Sequence, residues 1–235
     1  MALQFEQGEI LLINKPYKWT SFDVVAKLRS LIRTHQQIKK LKIGHAGTLD
    51  PLATGLLIVC TGKFTKRIDE FQGLEKEYTG VFRIGATTPS FDLEREIDFE
   101  FPFGHITTEQ IMDAVEKLSG TYDQVPPAFS AKKIGGKRAY KFARQDQEVK
   151  FKPHHITVSG FEITCINLPY LCFRINCSKG TYIRSIARDL GVRLGTGAHL
   201  TELCRTRIGS NHLRDAWEME NIIQHLFGEN EITVL

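Results

Sequence analysis

The sequence predicts an α+β fold built on a mixed, largely antiparallel sheet. Two observations carry this. Apolar, β-branched runs at 9–13 (EILLI), 56–61 (LLIVCT) and 77–84 (EYTGVFRI) read as strands. Segments of helical spacing fall between such runs without the strict strand–helix alternation that a doubly wound parallel sheet requires. The 235-residue chain is long enough to bury a sizeable core. Its 42% hydrophobic and 25% charged residues suit a globular protein in water. No apolar run reaches the length of a membrane span. Met1–Gly8 lacks the basic-then-apolar pattern of a secretion signal, so a cytoplasmic protein is expected.

The first strand, 9–13, is broken by Lys15-Pro16. Thr20 with Asp23 three residues later is a helix start that caps free backbone N–H groups, and Phe22, Val25, Leu28 and Ile32 follow at helical spacing. Polar, basic residues 34–42 read as a loop leading to Gly44. The strands at 56–61 and 77–84 come next, the latter ending at Gly85. Thr107 with Gln110 opens a helix carrying Ile111, Val115 and Leu118, which Gly120 stops. After the turn at Val125-Pro126-Pro127 comes a basic stretch, 131–150, with Tyr140 and Phe142 interleaved. Runs 156–164 and 171–177 read as neighbouring strands joined through Asn167–Tyr170. Ile183, Ile186, Ala187, Leu190 and Leu194 mark a helix ended by Gly195. Met219, Ile222, Ile223 and Leu226 mark the last helix, with Gly228 at its end and a short returning strand at 232–234. There is no internal repeat and no linker, so 1–235 is expected to be one domain.

The five cysteines, Cys60, Cys165, Cys172, Cys177 and Cys204, are odd in number and lack paired short spacings. A zinc site or disulfide framework is not indicated, and buried reduced thiols are expected. Net charge is only +4 but is unevenly spread. Residues 24–49 hold six Lys or Arg and no acid, and 132–150 hold seven against Asp146 and Glu148. Residues 92–116 hold eight acids against Arg95. A basic face suits a polyanion such as nucleic acid, though solvated helix surface explains the same charges.

The densest chemical feature is Gly44–Gly55, GHAGTLDPLATG. Three glycines and one proline in twelve residues imply a tight, specific loop. Pro51 biases Asp50 toward an extended backbone. A carboxylate there serves as nucleophile, general base or metal ligand. The residues alone favour a merely structural Asp–Pro turn. His45, without clustered partners, is weak evidence for metal. A second feature is Cys177–Arg184, CSKGTYIR, in which Gly180 permits a sharp turn and Tyr182 and Arg184 project from a helix start. An aromatic ring stacks on a base, and a guanidinium pairs with carboxylate or phosphate. Lys76-Glu77-Tyr78 and Leu203–Arg207, LCRTR, complete the set.

The Gly44–Gly55 loop strongly resembles the catalytic motif of the TruB family, the tRNA pseudouridine-55 synthases. LLINKP, KEY, VPPAFSAKK, GKRAY, ARQD, CSKGTYIRSIARDLG, GAHL and LCRTR also resemble family segments, in the family's order and over nearly the whole chain. The resemblance implies that Asp50 is the catalytic aspartate, that Arg184 pairs with it, and that Tyr78 stacks on the target base. It places Tyr182 and Leu203 along the uridine pocket and has His45 fill the space the flipped nucleotide leaves. Lys15, in the first segment, joins them as a substrate-binding residue. The partner implied is the T-stem-loop of tRNA, with uridine 55 as the target and the protein a monomer. No cofactor and no metal are implied, because the reaction is an isomerisation. A C-terminal RNA-binding domain of the PUA type, carried by many members, is not expected here. Three other readings stand beside this one: an RNA-binding protein that keeps the fold without catalysis, an unrelated hydrolase using Asp50, and a guide-RNA-dependent relative.

Overall fold

A computed structural model of the protein describes residues 3–129, 133–134, 137–138 and 151–227. In chain order the elements are β1 (Ile10–Lys15), α1 (Ser21–His35), β2 (Ile43–His45), β3 (Thr54–Thr61), a 3-10 turn (Gly62–Arg67), α2 (Ile68–Gly73), β4 (Lys76–Ile84), β5 (Ala86–Thr87) and β6 (Phe99–Glu100). There follow α3 (Thr108–Lys117), β7 (Gly120–Gln124), β8 (Lys133–Ile134), β9 (Lys137–Arg138), β10 (His154–Asn167) and β11 (Tyr170–Cys177). The chain continues through α4 (Ile183–Leu194), β12 (Ala198–Ile208), β13 (Asn211–His212) and α5 (Met219–Phe227).

Among the described residues, nine strands make one sheet in the order β1-β3-β12-β4-β11-β10-β7, with β2 also on β3 and β13 on β12. β3 and β12 run parallel, while β1/β3, β2/β3, β7/β10, β10/β11 and β12/β13 are antiparallel. The fold is therefore α+β with a mixed, mostly antiparallel sheet, as the sequence predicts. The chain divides into two compact units, Met1–Tyr78 with Leu203–Leu235, and Thr79–Glu202. β4 and β12 each pass from one unit into the other. Among the described residues, no helix is long and apolar enough to cross a membrane.

In the first unit, α1 starts at Thr20, whose hydroxyl accepts from the Asp23 N–H while the Asp23 carboxylate accepts from the Thr20 N–H. Its buried stripe is Val24, Val25, Leu28, Leu31 and Ile32, packed against Leu11 and Ile13 of β1, Leu57 and Val59 of β3, and Ile222 and Ile223 of α5. Each such aliphatic side chain contributes about 1.5–3 kcal/mol on burial. Phe22 departs from the sequence reading: it is 62% exposed, with the Arg29 guanidinium over its ring. At 100° per residue, position 22 falls outside the stripe that 24, 25, 28, 31 and 32 define. The segment read as a loop through Lys42 is followed by a short strand, β2, pairing Gly44 with Cys60 and His45 with Val59.

In the second unit, α3 carries the same capping box at Thr107 and Gln110. Its last turn closes at Leu118, and Gly120, at φ +84°, opens β7 instead of capping the helix. α4 ends as predicted at Gly195 in the left-handed conformation. The strands read at 156–164 and 171–177 are β10 and β11, paired antiparallel. Tyr140, Phe142, Gly228 and the strand read at 232–234 lie outside the described residues.

Candidate active site

In the first unit, the Gly44–Gly55 segment leaves β2 at His45 and enters β3 at Thr54, and its intervening loop is held at many points. Ser21 binds Leu49 both ways: its hydroxyl accepts from the Leu49 N–H at 2.8 Å and donates to the Leu49 carbonyl at 3.2 Å. The Ala53 N–H donates to the Asp50 carbonyl at 3.1 Å, closing a turn around Pro51. Asn14 Oδ1 accepts from the Gly55 N–H at 3.1 Å. Gly55 sits at φ +103°, and a Cβ there would stand 2.4 Å from the Arg205 carbonyl oxygen and 2.5 Å from its nitrogen. Only glycine lets β3 begin against β12 at this point.

Two buried cations clamp the same loop. Lys15 is wholly buried, and its ammonium donates to the carbonyls of Pro16 (2.8 Å), Trp19 (2.6 Å) and Pro51 (3.3 Å). Burial lowers its pKa from 10.5 to about 8, with the Asp50 charge opposing that shift and the Arg205 charge adding to it. Arg205, 1% exposed, donates through Nε to the Leu56 carbonyl (2.8 Å) and through Nη2 to the Gly47 carbonyl (3.1 Å). It thus ties both ends of the loop. Asp50, half-buried, is the acid this scaffold presents. His45 is held toward its neutral form by burial and by the Arg205 charge. Lys15, His45, Asp50 and Arg205 therefore share one electrostatic neighbourhood. Leu203, half-buried on β12, accepts at its carbonyl from the Thr54 hydroxyl at 3.5 Å. Tyr78 is buried on β4, two residues beyond Lys76, whose ammonium donates to the Gln72 and Leu74 carbonyls. Beside it, Glu77 accepts from the Thr206 hydroxyl at 2.6 Å.

In the second unit, Tyr182 is the residue before α4 and Arg184 lies in its first turn. The turn into the helix uses Gly180 at φ +84°, whose carbonyl meets His154 Nε2 at 2.8 Å. Gln124, 1% exposed, grips the Tyr182 backbone twice, accepting from its N–H at 2.9 Å and donating to its carbonyl at 3.1 Å. The Tyr182 ring stands edge-on to His154, centroids 5.9 Å apart. Arg184 is 3% exposed: Nη1 donates to the Ser90 carbonyl at 3.2 Å, and Nε lies 3.5 Å from an Asp92 carboxylate oxygen. Asp92 is itself buried, with its backbone carbonyl capped by the Thr88 and Ser90 hydroxyls and its Oδ1 accepting from the Glu94 N–H. The guanidinium is thereby oriented in a fixed plane.

Sequence reasoning missed Arg205, Ser21, Asn14, Gln124 and Asp92. Arg205 was visible as one of the two cations of LCRTR, but only the fold supplies the carbonyls it meets. Asp92 stands among the eight acids of 92–116, and no local pattern marks it as the buried one.

This framework agrees with known proteins. The fold is shared with a chain of the crystal structure of a Cbf5-Nop10-Gar1 complex (TM-score 0.71, 24% identity), covering 98% of this chain and 58% of that one. It is also shared with a chain from a structure of an H/ACA RNP bound to a substrate RNA containing 2′-deoxyuridine (TM-score 0.67, 23% identity), covering 97% and 57%. This chain thus spans somewhat over half the length of those solved chains. Residues 33–183 match the TruB family pseudouridylate synthase N-terminal domain, and 184–233 match the tRNA pseudouridylate synthase B C-terminal domain. The tRNA pseudouridine synthase B of Phocaeicola vulgatus is 51% identical, over 95% of each chain. That of Bacteroides thetaiotaomicron is 52% identical, over 93% of each. Fold and sequence together define a pseudouridine synthase, an enzyme of the isomerase class. The chain belongs to the TruB family.

Proposed function

We propose that the protein isomerises uridine 55 in the T-loop of tRNA to pseudouridine, with Asp50 as nucleophile. The observation that carries this is the loop that presents Asp50, held by two buried cations and by Ser21 and Asn14 in a chain of the TruB family. A nucleophile must be aimed, and the surrounding hydrogen bonds fix the backbone on both sides of this one.

The reaction breaks the C1′–N1 bond, turns the base and joins C1′ to C5. A stacked uridine does not present that bond, so it leaves its stack first, at a cost of a few kcal/mol. In this reading His45, held neutral, fills the space left behind, and the Tyr78 ring stacks on the base and assists loss of the proton from C5. Tyr182 and Leu203 line the pocket. Arg184, its plane set by Asp92 and Ser90, favours the ionised Asp50 carboxylate. Lys15 belongs to substrate binding through the backbone it holds at Pro51. The partner is the T-stem-loop of tRNA, bound by a monomer in the cytoplasm, and residues 1–235 act as one catalytic domain without a cofactor.

The test is conversion of unmodified tRNA transcripts, mapped by carbodiimide labelling. Labelling at position 55 alone is the expected result, and unlabelled tRNA after binding would favour an RNA-binding protein without catalysis.

A further inference from the structure

The cysteines depart from the expectation of buried thiols. Cys60 and Cys177 are buried and Cys204 is half-buried, but Cys165 is exposed and Cys172 is half-buried. These last two are directly opposed in the antiparallel β10/β11 hairpin, where the ladder shifts register between Ile163 and Cys165. The extra residue, Thr164, brings Cys165 into phase with Cys172, and the two thiols are hydrogen-bonded to each other. Opposed residues in an antiparallel ladder have Cα atoms about 4.5–5.5 Å apart. A disulfide spans Cα separations of roughly 4.4–6.8 Å, so the backbone need not move to accept one. Packing alone does not account for the pair, since a cysteine acting as a small hydrophobe is among the most buried residue types, and Cys165 is not.

We propose that Cys165 and Cys172 form a dithiol site that exchanges with low-molecular-weight disulfides such as oxidised glutathione, closing a reversible cross-strand disulfide. The Cys165 thiolate attacks one sulfur of the small disulfide. That bond breaks, one small thiol leaves, and Cys165 carries the other half as a mixed disulfide. The Cys172 thiolate then attacks the Cys165 sulfur and expels the second small thiol. The protein loses two hydrogens and two electrons, and the small disulfide is reduced to two thiols. The order follows from access and proton affinity. Cys165 is the exposed member, whereas Cys172 is held protonated chiefly by its hydrogen bond to Cys165, with burial and the Cys165 and Glu202 charges adding to it. Capping Cys165 removes its contribution and frees Cys172 to resolve. Elsewhere Cys60 is shielded, its pKa pushed up to about 11 by burial, and the Cys204 thiol is pushed up by the same cause.

The test is to treat the folded full chain with oxidised glutathione, alkylate the remaining thiols, and read intact mass and peptide maps. The wild type is expected to lose two hydrogens and to yield a peptide joining Cys165 to Cys172 that a reducing thiol reopens. Cys172→Ser is expected to stop with one glutathione on Cys165, and Cys165→Ser to stay unmodified. A wild type that keeps glutathione on Cys165 while Cys172 is still alkylated would overturn the proposal. So would a wild type that does not react at all.

Discussion

Lys15 ties the end of β1 to the loop that carries Asp50. Its ammonium is spent on three main-chain carbonyls, one of them on the proline that follows Asp50. Its pKa of about 8 lies below the ordinary 10.5, so between those values the unfolded chain holds a proton that the folded chain has released. The unfolded state binds more protons there, and stability rises with pH across the window, by up to about 3 kcal/mol. Below pH 8 the cost of burying the charge is fully present. The stability advantage of wild type over Lys15→Met, measured by urea unfolding, is therefore expected to grow from pH 8 toward pH 10.5; a difference independent of pH would contradict this. Arg184 yields a second expectation. Lysine keeps the charge but not the planar fork that meets Ser90 and Asp92. Arg184→Lys is expected to lower kcat by about 100-fold or more under conditions where urea titration shows the variant to be folded. Near-wild-type kinetics would remove the guanidinium from the mechanism.

Elements were legible in the sequence where their signals are local. The capping boxes at Thr20 and Thr107, the Gly195 cap and the Asn167–Tyr170 hairpin each depend on residues a few positions apart. Phe22 was misplaced because i, i+3 spacing from Val25 admits it to a stripe that Val24 and Leu31 in fact complete. The sheet order was not legible, since β3 lies beside β12 through a parallel register about 150 residues apart in sequence, with no local trace. Asp50, Tyr182 and Arg184 could be read as candidates from their motifs. The buried carbonyl clamps could not, because Arg205 finds its acceptors only once β12 lies against β3. That same contact sets an element-level expectation. Gly55→Ala puts a methyl group onto the Arg205 backbone at a positive φ, and is expected to destabilise the fold by roughly 2–4 kcal/mol in urea titration. A loss below 0.5 kcal/mol would mean that β3 and β12 part there at little cost.

At the scale of the whole molecule, charge is partitioned along the chain. In the first unit Arg33, Lys39, Lys40 and Lys42 are exposed around the end of α1 and the approach to β2. In the second, Glu94, Glu96, Asp98 and Glu100 are exposed in one run. Under the proposed function, this exposed basic cluster meets the tRNA backbone by charge alone. Replacing Lys39, Lys40 and Lys42 together by alanine is expected to weaken tRNA binding and to reduce the slope of log Kd against log salt by about 2–3. Binding with an unchanged slope would place the RNA elsewhere. Tritium release from C5-labelled tRNA, run beside a binding titration, tests the proposed role of Asp50 as nucleophile most directly. Asp50→Asn is expected to cut turnover by at least about 10,000-fold while leaving Kd within about threefold; turnover near that of the wild type would show that this carboxylate is not the nucleophile.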